Sequence, residues 1–184
     1  MRKLRILMDA DDVLEDLTRV WVEYLNEKYG THTRYEDLHE WDMTSAFPGL
    51  TTEQVYGVEG DIALFDRVHA LPGAPEYLEK LREAGHELYV VTSTPFFAAA
   101  NKVALLRRLY PFLTEKQIII CSRKQLIRGD VLLDDGVHNL EGGEYEKILF
   151  TGPYNVNYDA EAHGMTRVHN WDEAYAAIQR IADA

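Results

Sequence analysis

The chain has one cysteine in 184 residues, Cys121, so no disulfide can form within it. That residue closes the apolar run Ile118-Ile119-Ile120, where a buried, inert thiol is the default, and the expected compartment is reducing and cytoplasmic. Basic residues are scarce too: 19 Lys+Arg stand against 31 Asp+Glu, a formal net charge of −12. Polynucleotide backbones are bound by basic clusters, so no polynucleotide partner is expected; a small anion held by one local cation remains open. No apolar run approaches the roughly 18 residues of a membrane span, and the run after Arg5 stops at Asp9, too short for a signal-peptide core. The chain has no internal repeat and no linker rich in Pro, Gly or Ser. It contains no Gly-x-x-x-x-Gly-Lys-Ser/Thr, Gly-x-Gly-x-x-Gly or His-Glu-x-x-His pattern, which removes the usual ATPase, dinucleotide and zinc-hydrolase readings.

What is present is an ordinary globular composition, 46% hydrophobic and 27% charged, enough for one good core and a small accessory unit. Four apolar runs each stop at a polar residue. Leu4 to Met8 ends at Asp9, Glu87 to Val91 at Thr92, Gln117 to Ile120 at Cys121, and Val131 to Leu133 at Asp134. Lys147 to Thr151 and Thr166 to His169 read as two further short strands. Runs this short and apolar suit strands buried on both faces of a parallel sheet. Helical patterns lie between them. Tyr77, Leu78, Leu81 and Ala84 share a face with Gly85 following, a second pattern runs from about Phe97 to Tyr110 before Pro111, and Asn170 is placed to cap a last helix. The alternation predicts an α/β fold with a doubly wound, Rossmann-like parallel sheet.

The exception follows the first strand. From about Glu15 to Leu71 an amphipathic helix (Leu17, Val20, Trp21, Tyr24, Leu25) leads into helical and loop-like text without a strong strand. The expected division is therefore a core of residues 1–14 and 72–184 with a small helical cap of 15–71, and Leu71-Pro72-Gly73-Ala74-Pro75 returns the chain to the core.

Ligands of open α/β sheets bind beyond the carboxyl ends of the strands. Asp9 and Asp11, Thr92 and Ser93, Lys124, and Asp134 and Asp135 are what this chain puts there. Four carboxylates would repel one another without a hard cation, and an all-oxygen set suits Mg²⁺. Lys124 and the hydroxyls supply what a phosphoryl group needs. A lone Asp at a strand end is usually a cap or turn residue; four such sites at successive strand ends make the joint reading the stronger one.

These residues resemble the four motifs of haloacid-dehalogenase-like phosphatases: Asp9-Ala10-Asp11-Asp12-Val13, Thr92, Lys124 and Asp134-Asp135, in order. The stretches Ala70 to Ala74, Ile118 to Lys124, Gly129 to Asp135 and Ile148 to Thr151 are similar to the 5′(3′)-deoxyribonucleotidase branch. The resemblance implies that Asp9 attacks the phosphate ester to form an aspartyl-phosphate and that Asp11 protonates the leaving oxygen and later activates water. It also implies Mg²⁺ held by Asp9, the Asp11 backbone carbonyl and Asp135, with Asp134 supporting Asp135. Lys124 is expected to bridge Asp9 and the phosphate, and Thr92 and Ser93 to bind phosphate oxygens.

Substrate choice then falls to the aromatic cap. Trp21 and Tyr24, at helical spacing, are expected in the cap's own core; Trp41 lies in the loop-like His39-Glu40-Trp41-Asp42, and the resemblance, in whose branch an aromatic at about this point stacks on the base, implies that role for it. The expected function is a Mg²⁺-dependent phosphomonoesterase acting on a small-molecule nucleotide, a nucleoside monophosphate. A phosphosugar phosphatase keeps all four motifs and is the alternative. A dehalogenase has no use for Asp11, and in a receiver-like phospho-switch the acidic pair would precede the phosphorylated Asp. A homodimer is left open.

Overall fold

The computed structural model describes residues 2–184. In chain order the main elements are β1 (Arg5–Met8), α1 (Leu17–Tyr29), α2 (Thr52–Tyr56), α3 (Ile62–Phe65), α4 (Ala74–Glu83), β2 (Glu87–Thr92), α5 (Ala99–Leu109), β3 (Ile118–Ile120), β4 (Val131–Asp134), α6 (Val137–Leu140), β5 (Glu146–Phe150), β6 (Met165–Val168) and α7 (Trp171–Asp183). The six strands pair in parallel in the order β3-β2-β1-β4-β5-β6. The strand order reverses between β1 and β4, a position where the loops leaving two neighbouring strands diverge and open a crevice.

Both faces of the sheet are covered, as the apolar runs require. Ile6 and Met8 of β1 join one core with Leu78 and Leu81 of α4 and Trp171, Ala174 and Ile178 of α7. Leu7 points the other way, into a second core with Leu132, Leu149 and Leu140 of α6. The edge strand departs from the expectation. Ile118 and Ile119 are only half-buried and Ile120 is 38% exposed, because β3 pairs with β2 alone. Cys121 is correspondingly half-buried rather than fully enclosed.

The helix ends follow their local chemistry. Asn170 caps α7 by accepting a 2.9 Å hydrogen bond from the Glu173 amide. Gly85, at φ +82°, takes the left-handed turn after α4 that a side chain would resist. The segment between β1 and β2 carries its own apolar cluster, in which Leu17, Val20, Trp21 and Leu25 of α1 meet Val55, Leu64 and Phe65. Leu105 of α5 closes that cluster from the sheet side, so the helical segment is packed onto the element that follows β2.

Candidate active site

The turn after β1 is the hub. The Asp9 amide continues the ladder to Leu133 O at 2.8 Å, and Asp12 two positions past the next residue holds φ +54°, a left-handed conformation that favours glycine. Asp12 tolerates it because its carboxylate is engaged: the Thr18 amide donates at 3.3 Å, Tyr35 Oη at 3.3 Å and Tyr154 Oη at 2.8 Å. The turn leaves Asp9 buried and Asp11 partly exposed at the mouth of a cleft.

β4 ends in the second half of the site. Asp134 is fully buried and committed: Lys124 Nζ donates to its Oδ2 at 2.7 Å, while the Gly136 amide (2.8 Å) and Asn139 Nδ2 (2.9 Å) donate to its Oδ1. Lys124, equally buried, also lies 2.7 Å from Asp9 Oδ1 and ties the two strand ends together. Desolvation would drive its proton off, but Asp134 and Asp9 outweigh this and hold the ammonium above its ordinary range. Asp135 differs from its neighbour. Its Oδ2 meets the Tyr154 hydroxyl, whereas its Oδ1 is buried with no hydrogen-bond partner among the described residues. Oxygens of Asp9, Asp134 and Asp135 lie within 4.8 Å of one another, a spacing at which the three could share a metal ion.

Burial first, then the charges of Asp134, Asp9 and Asp12, push the Asp135 carboxyl well above its ordinary range. Asp9 is likewise pushed up to about 7, mainly by burial, with Lys124 acting against the shift. Asp11 moves the other way. Burial alone would raise it, but Lys102 overcomes that effect with hydrogen bonds from Glu15 and Lys102, and the carboxyl falls below its usual value. The two motif aspartates are thus separated in protonation, with the nucleophile candidate the higher of the pair.

Lys102 is the main residue that sequence reasoning did not find. It projects from α5, fully buried, pairs with Asp11, and donates to Glu15 Oε1 at 2.9 Å. Nothing in the linear pattern marks it, since a lysine on an amphipathic helix ordinarily faces water. Thr92 and Thr94 are both buried with hydroxyls lacking a partner among the described residues. Ser93 is exposed, donates to Ser122 Oγ at 3.0 Å, and lines the cleft.

The cleft has a volume of about 320 Å³. Asp9, Asp11, Asp135 and Ser93 from the strand ends line it together with Thr18, Trp21, Met43, Tyr56 and Glu59 of the helical segment. Trp41, Tyr154 and His138 add an aromatic cluster to the lining. Trp41 is 51% exposed and stands edge-on to His138 (4.7 Å between ring centroids) and Tyr154 (5.3 Å). Trp21 is cluster core, as expected, with Nε1 donating to Val55 O at 2.8 Å, yet its edge also reaches the cleft. Tyr24 does not; its hydroxyl donates to Asp61 at 3.2 Å.

The sequence model for the family described as "5' nucleotidase, deoxy (Pyrimidine), cytosolic type C protein" matches residues 2–183. The chain belongs to this family. A 5′(3′)-deoxyribonucleotidase of Bacillus subtilis is 33% identical over 175 residues, 94% of this chain and 96% of that protein. One from Clostridium acetobutylicum is 28% identical over 183 residues, 100% of this chain and 99% of its own. Among solved structures, a haloacid dehalogenase-like hydrolase from Streptococcus pneumoniae superposes with a TM-score of 0.68 at 15% identity, covering 96% of this chain and 99% of that one. A haloacid-dehalogenase family hydrolase from Deinococcus radiodurans, with bound phosphate and sodium, gives 0.59 at 19% identity, with 96% and 95% covered. These likenesses bear out the haloacid-dehalogenase-like fold, and the nucleotidase family is one of phosphatases, which sets the receiver-like switch aside. Among the described residues, no helix is long and apolar enough to cross a membrane.

Proposed function

We propose that this nucleotidase-family member is a Mg²⁺-dependent phosphomonoesterase that hydrolyses deoxyribonucleoside monophosphates through an aspartyl-phosphate on Asp9. The observation that carries this reading is the combination of three clustered carboxylates with one unsatisfied, buried oxygen, Asp135 Oδ1, beside a lysine already bound to Asp9. An orphaned buried oxygen is costly unless something fills its lone pairs, and an all-oxygen set suits Mg²⁺. The donor set fits the ion: Asp9 and Asp135 would hold it with the Asp11 backbone carbonyl. Asp134 supports from behind, since both its oxygens are taken by Lys124, Gly136 and Asn139. Bound there, the cation offsets the repulsion among these oxygens and the charge on the phosphoryl group, and it favours the ionised form of Asp9.

The chain's own residues do the rest. The Thr92 hydroxyl, buried and without a partner among the described residues, donates to a phosphoryl oxygen, Ser93 assists at the mouth, and the Lys124 ammonium sits between that group and Asp9. Asp9 attacks phosphorus as the bond to the sugar oxygen breaks, and Asp11 gives that oxygen its proton. Water then attacks phosphorus, returns a proton to Asp11, frees Asp9 and leaves inorganic phosphate. Lys102 holds Asp11 low, whereas burial pushes the Glu15 carboxyl, hydrogen-bonded to Asp11, well above its ordinary range, so Glu15 is the member of the trio that keeps a proton and supplies it to the leaving oxygen through Asp11.

The segment 15–71 acts as the cap, its separate apolar cluster supporting the division from residues 1–14 and 72–184. Trp41, exposed on the cleft wall, is the stacking face for the base. A cytoplasmic location belongs to the same reading, carried by a cysteine with no second thiol in the chain to pair with. A panel of ribo- and deoxyribonucleoside monophosphates and sugar phosphates, assayed with purified protein and Mg²⁺, tests the proposal. Pyrimidine deoxyribonucleoside monophosphates are expected first; a preference for sugar phosphates would overturn the nucleotide reading.

A further inference from the structure

Of the residues lining the cleft, Glu59 is the one acid contributed by the helical segment. It lies in the short turn Gly57–Gly60 that follows α2 and is only 8% exposed. The turn is anchored at its C-terminal end: Gly60 O accepts from Asn101 Nδ2 of α5 at 3.2 Å, and Asp61 accepts from Lys28 at 2.6 Å and from Tyr24. Burial and then the charge of Asp11 push its carboxyl up to about 7, with Lys102 acting against the shift, and no hydrogen bond to it is made among the described residues. The carboxyl opens onto the cleft, so a donor on a bound ligand can take the place of the water that meets it in the free protein.

The neighbourhood says which donor. The phosphate end of the cleft is marked by Asp9, Thr92 and Lys124, and a carboxylate would repel a second phosphate there. The aromatic part of the lining is marked by Trp41 and His138, whose rings meet edge to face. Glu59 lines the same cleft as Asp11 and is close enough for their charges to interact, and in the mechanism proposed above Asp11 is the residue that meets the leaving oxygen. In a nucleoside 5′-monophosphate the group beside the leaving oxygen is the sugar, whose free donor is the 3′-hydroxyl. We propose that Glu59 is a specificity residue that accepts a hydrogen bond from the free sugar hydroxyl of the bound nucleotide. The inference rests on the nucleotide reading above and adds the contact that reads the sugar.

The test compares kcat/KM for a 2′-deoxynucleoside 5′-monophosphate with that for its 2′,3′-dideoxy counterpart carrying the same base, with p-nitrophenyl phosphate as a third substrate. The wild-type protein should favour the 3′-hydroxyl substrate about 10- to 100-fold, the range of a hydrogen bond to a charged group. In Glu59→Ala the ratio should collapse toward one, and in Glu59→Gln, which keeps an acceptor oxygen, it should lie between. Equal rates on the two nucleotides in the wild type overturn the Glu59 assignment and leave the nucleotide reading standing. So does a ratio unchanged in a Glu59→Ala protein whose thermal melt shows it folded. Turnover of p-nitrophenyl phosphate with neither nucleotide hydrolysed overturns both.

Discussion

The Lys102 ammonium lies 2.9 Å from Glu15 Oε1, and neither side chain reaches solvent. A buried pair of this kind gains little over an apolar substitute, yet removing one partner strands the other as an uncompensated charge. Lys102→Met should therefore destabilise the protein by about 3–5 kcal/mol, read by chemical denaturation. The double variant Lys102→Met with Glu15→Gln should recover much of that loss; equal instability of the single and double variants would mean that the lysine stem, not the ion pair, holds the site.

Metal removal should be equally plain. Activity is expected to disappear in excess EDTA and to return with Mg²⁺, since Asp9 and Asp135, in an acidic group whose oxygens lie within 4.8 Å of one another, crowd their charges without a cation. Undiminished turnover in chelator would exclude the two-carboxylate metal site of Asp9 and Asp135.

How much of this was readable from the chain alone depends on the kind of signal. The floor of the cleft was legible because each apolar run stops at a polar residue and a parallel sheet brings all those stops to one edge. Asp9, Asp11, Thr92, Lys124, Asp134 and Asp135 gather there in the structure. Which of Asp134 and Asp135 keeps a free oxygen depends on Gly136 and Asn139, whose roles appear only once the loop is folded. Lys102, Glu59 and Tyr154 were not legible. The first looks like a helix-surface charge, and the other two sit in segments without periodicity that converge on the site only in three dimensions. The edge position of β3, which leaves Ile120 exposed, has no signature in an apolar triplet either.

Trp41 offers a test of the cleft's aromatic wall. Trp41→Ala should remove a stacking contact worth about 1–3 kcal/mol, raising KM for a nucleoside monophosphate more than for p-nitrophenyl phosphate. Equal effects on both substrates would make Trp41 a packing residue for His138 and Tyr154 alone.

Stability should fall on mild acidification through a residue remote from the chemistry. His86 is buried, accepts the Leu4 amide at its Nδ1 (3.1 Å), and is held below its ordinary value of 6.5 by burial and then by Lys3. The fold thus prefers the neutral ring, while the unfolded chain takes up a proton from about pH 6.5 downward. This contribution is fully present above that pH and is lost as the pH drops toward the folded-state value. Thermal melts at pH 7.5 and 5.5 should show a smaller difference in His86→Gln than in the wild type; an equal or larger difference in the variant would assign the acid sensitivity to other groups.

The general-acid role of Asp11 is checked by leaving groups. Asp11→Asn should lose about 10²–10⁴-fold with alkyl phosphates and far less with p-nitrophenyl phosphate, whose leaving oxygen barely needs a proton. Equal losses would place the acid elsewhere.

The most direct measurement concerns Asp9. A deoxyribonucleoside 5′-monophosphate labelled on phosphorus, mixed with wild-type protein and Mg²⁺ and quenched in acid during turnover, should leave label on the protein at Asp9 and release inorganic phosphate. Asp9→Asn should do neither. Release of phosphate by Asp9→Asn at a rate near that of the wild type would contradict the account.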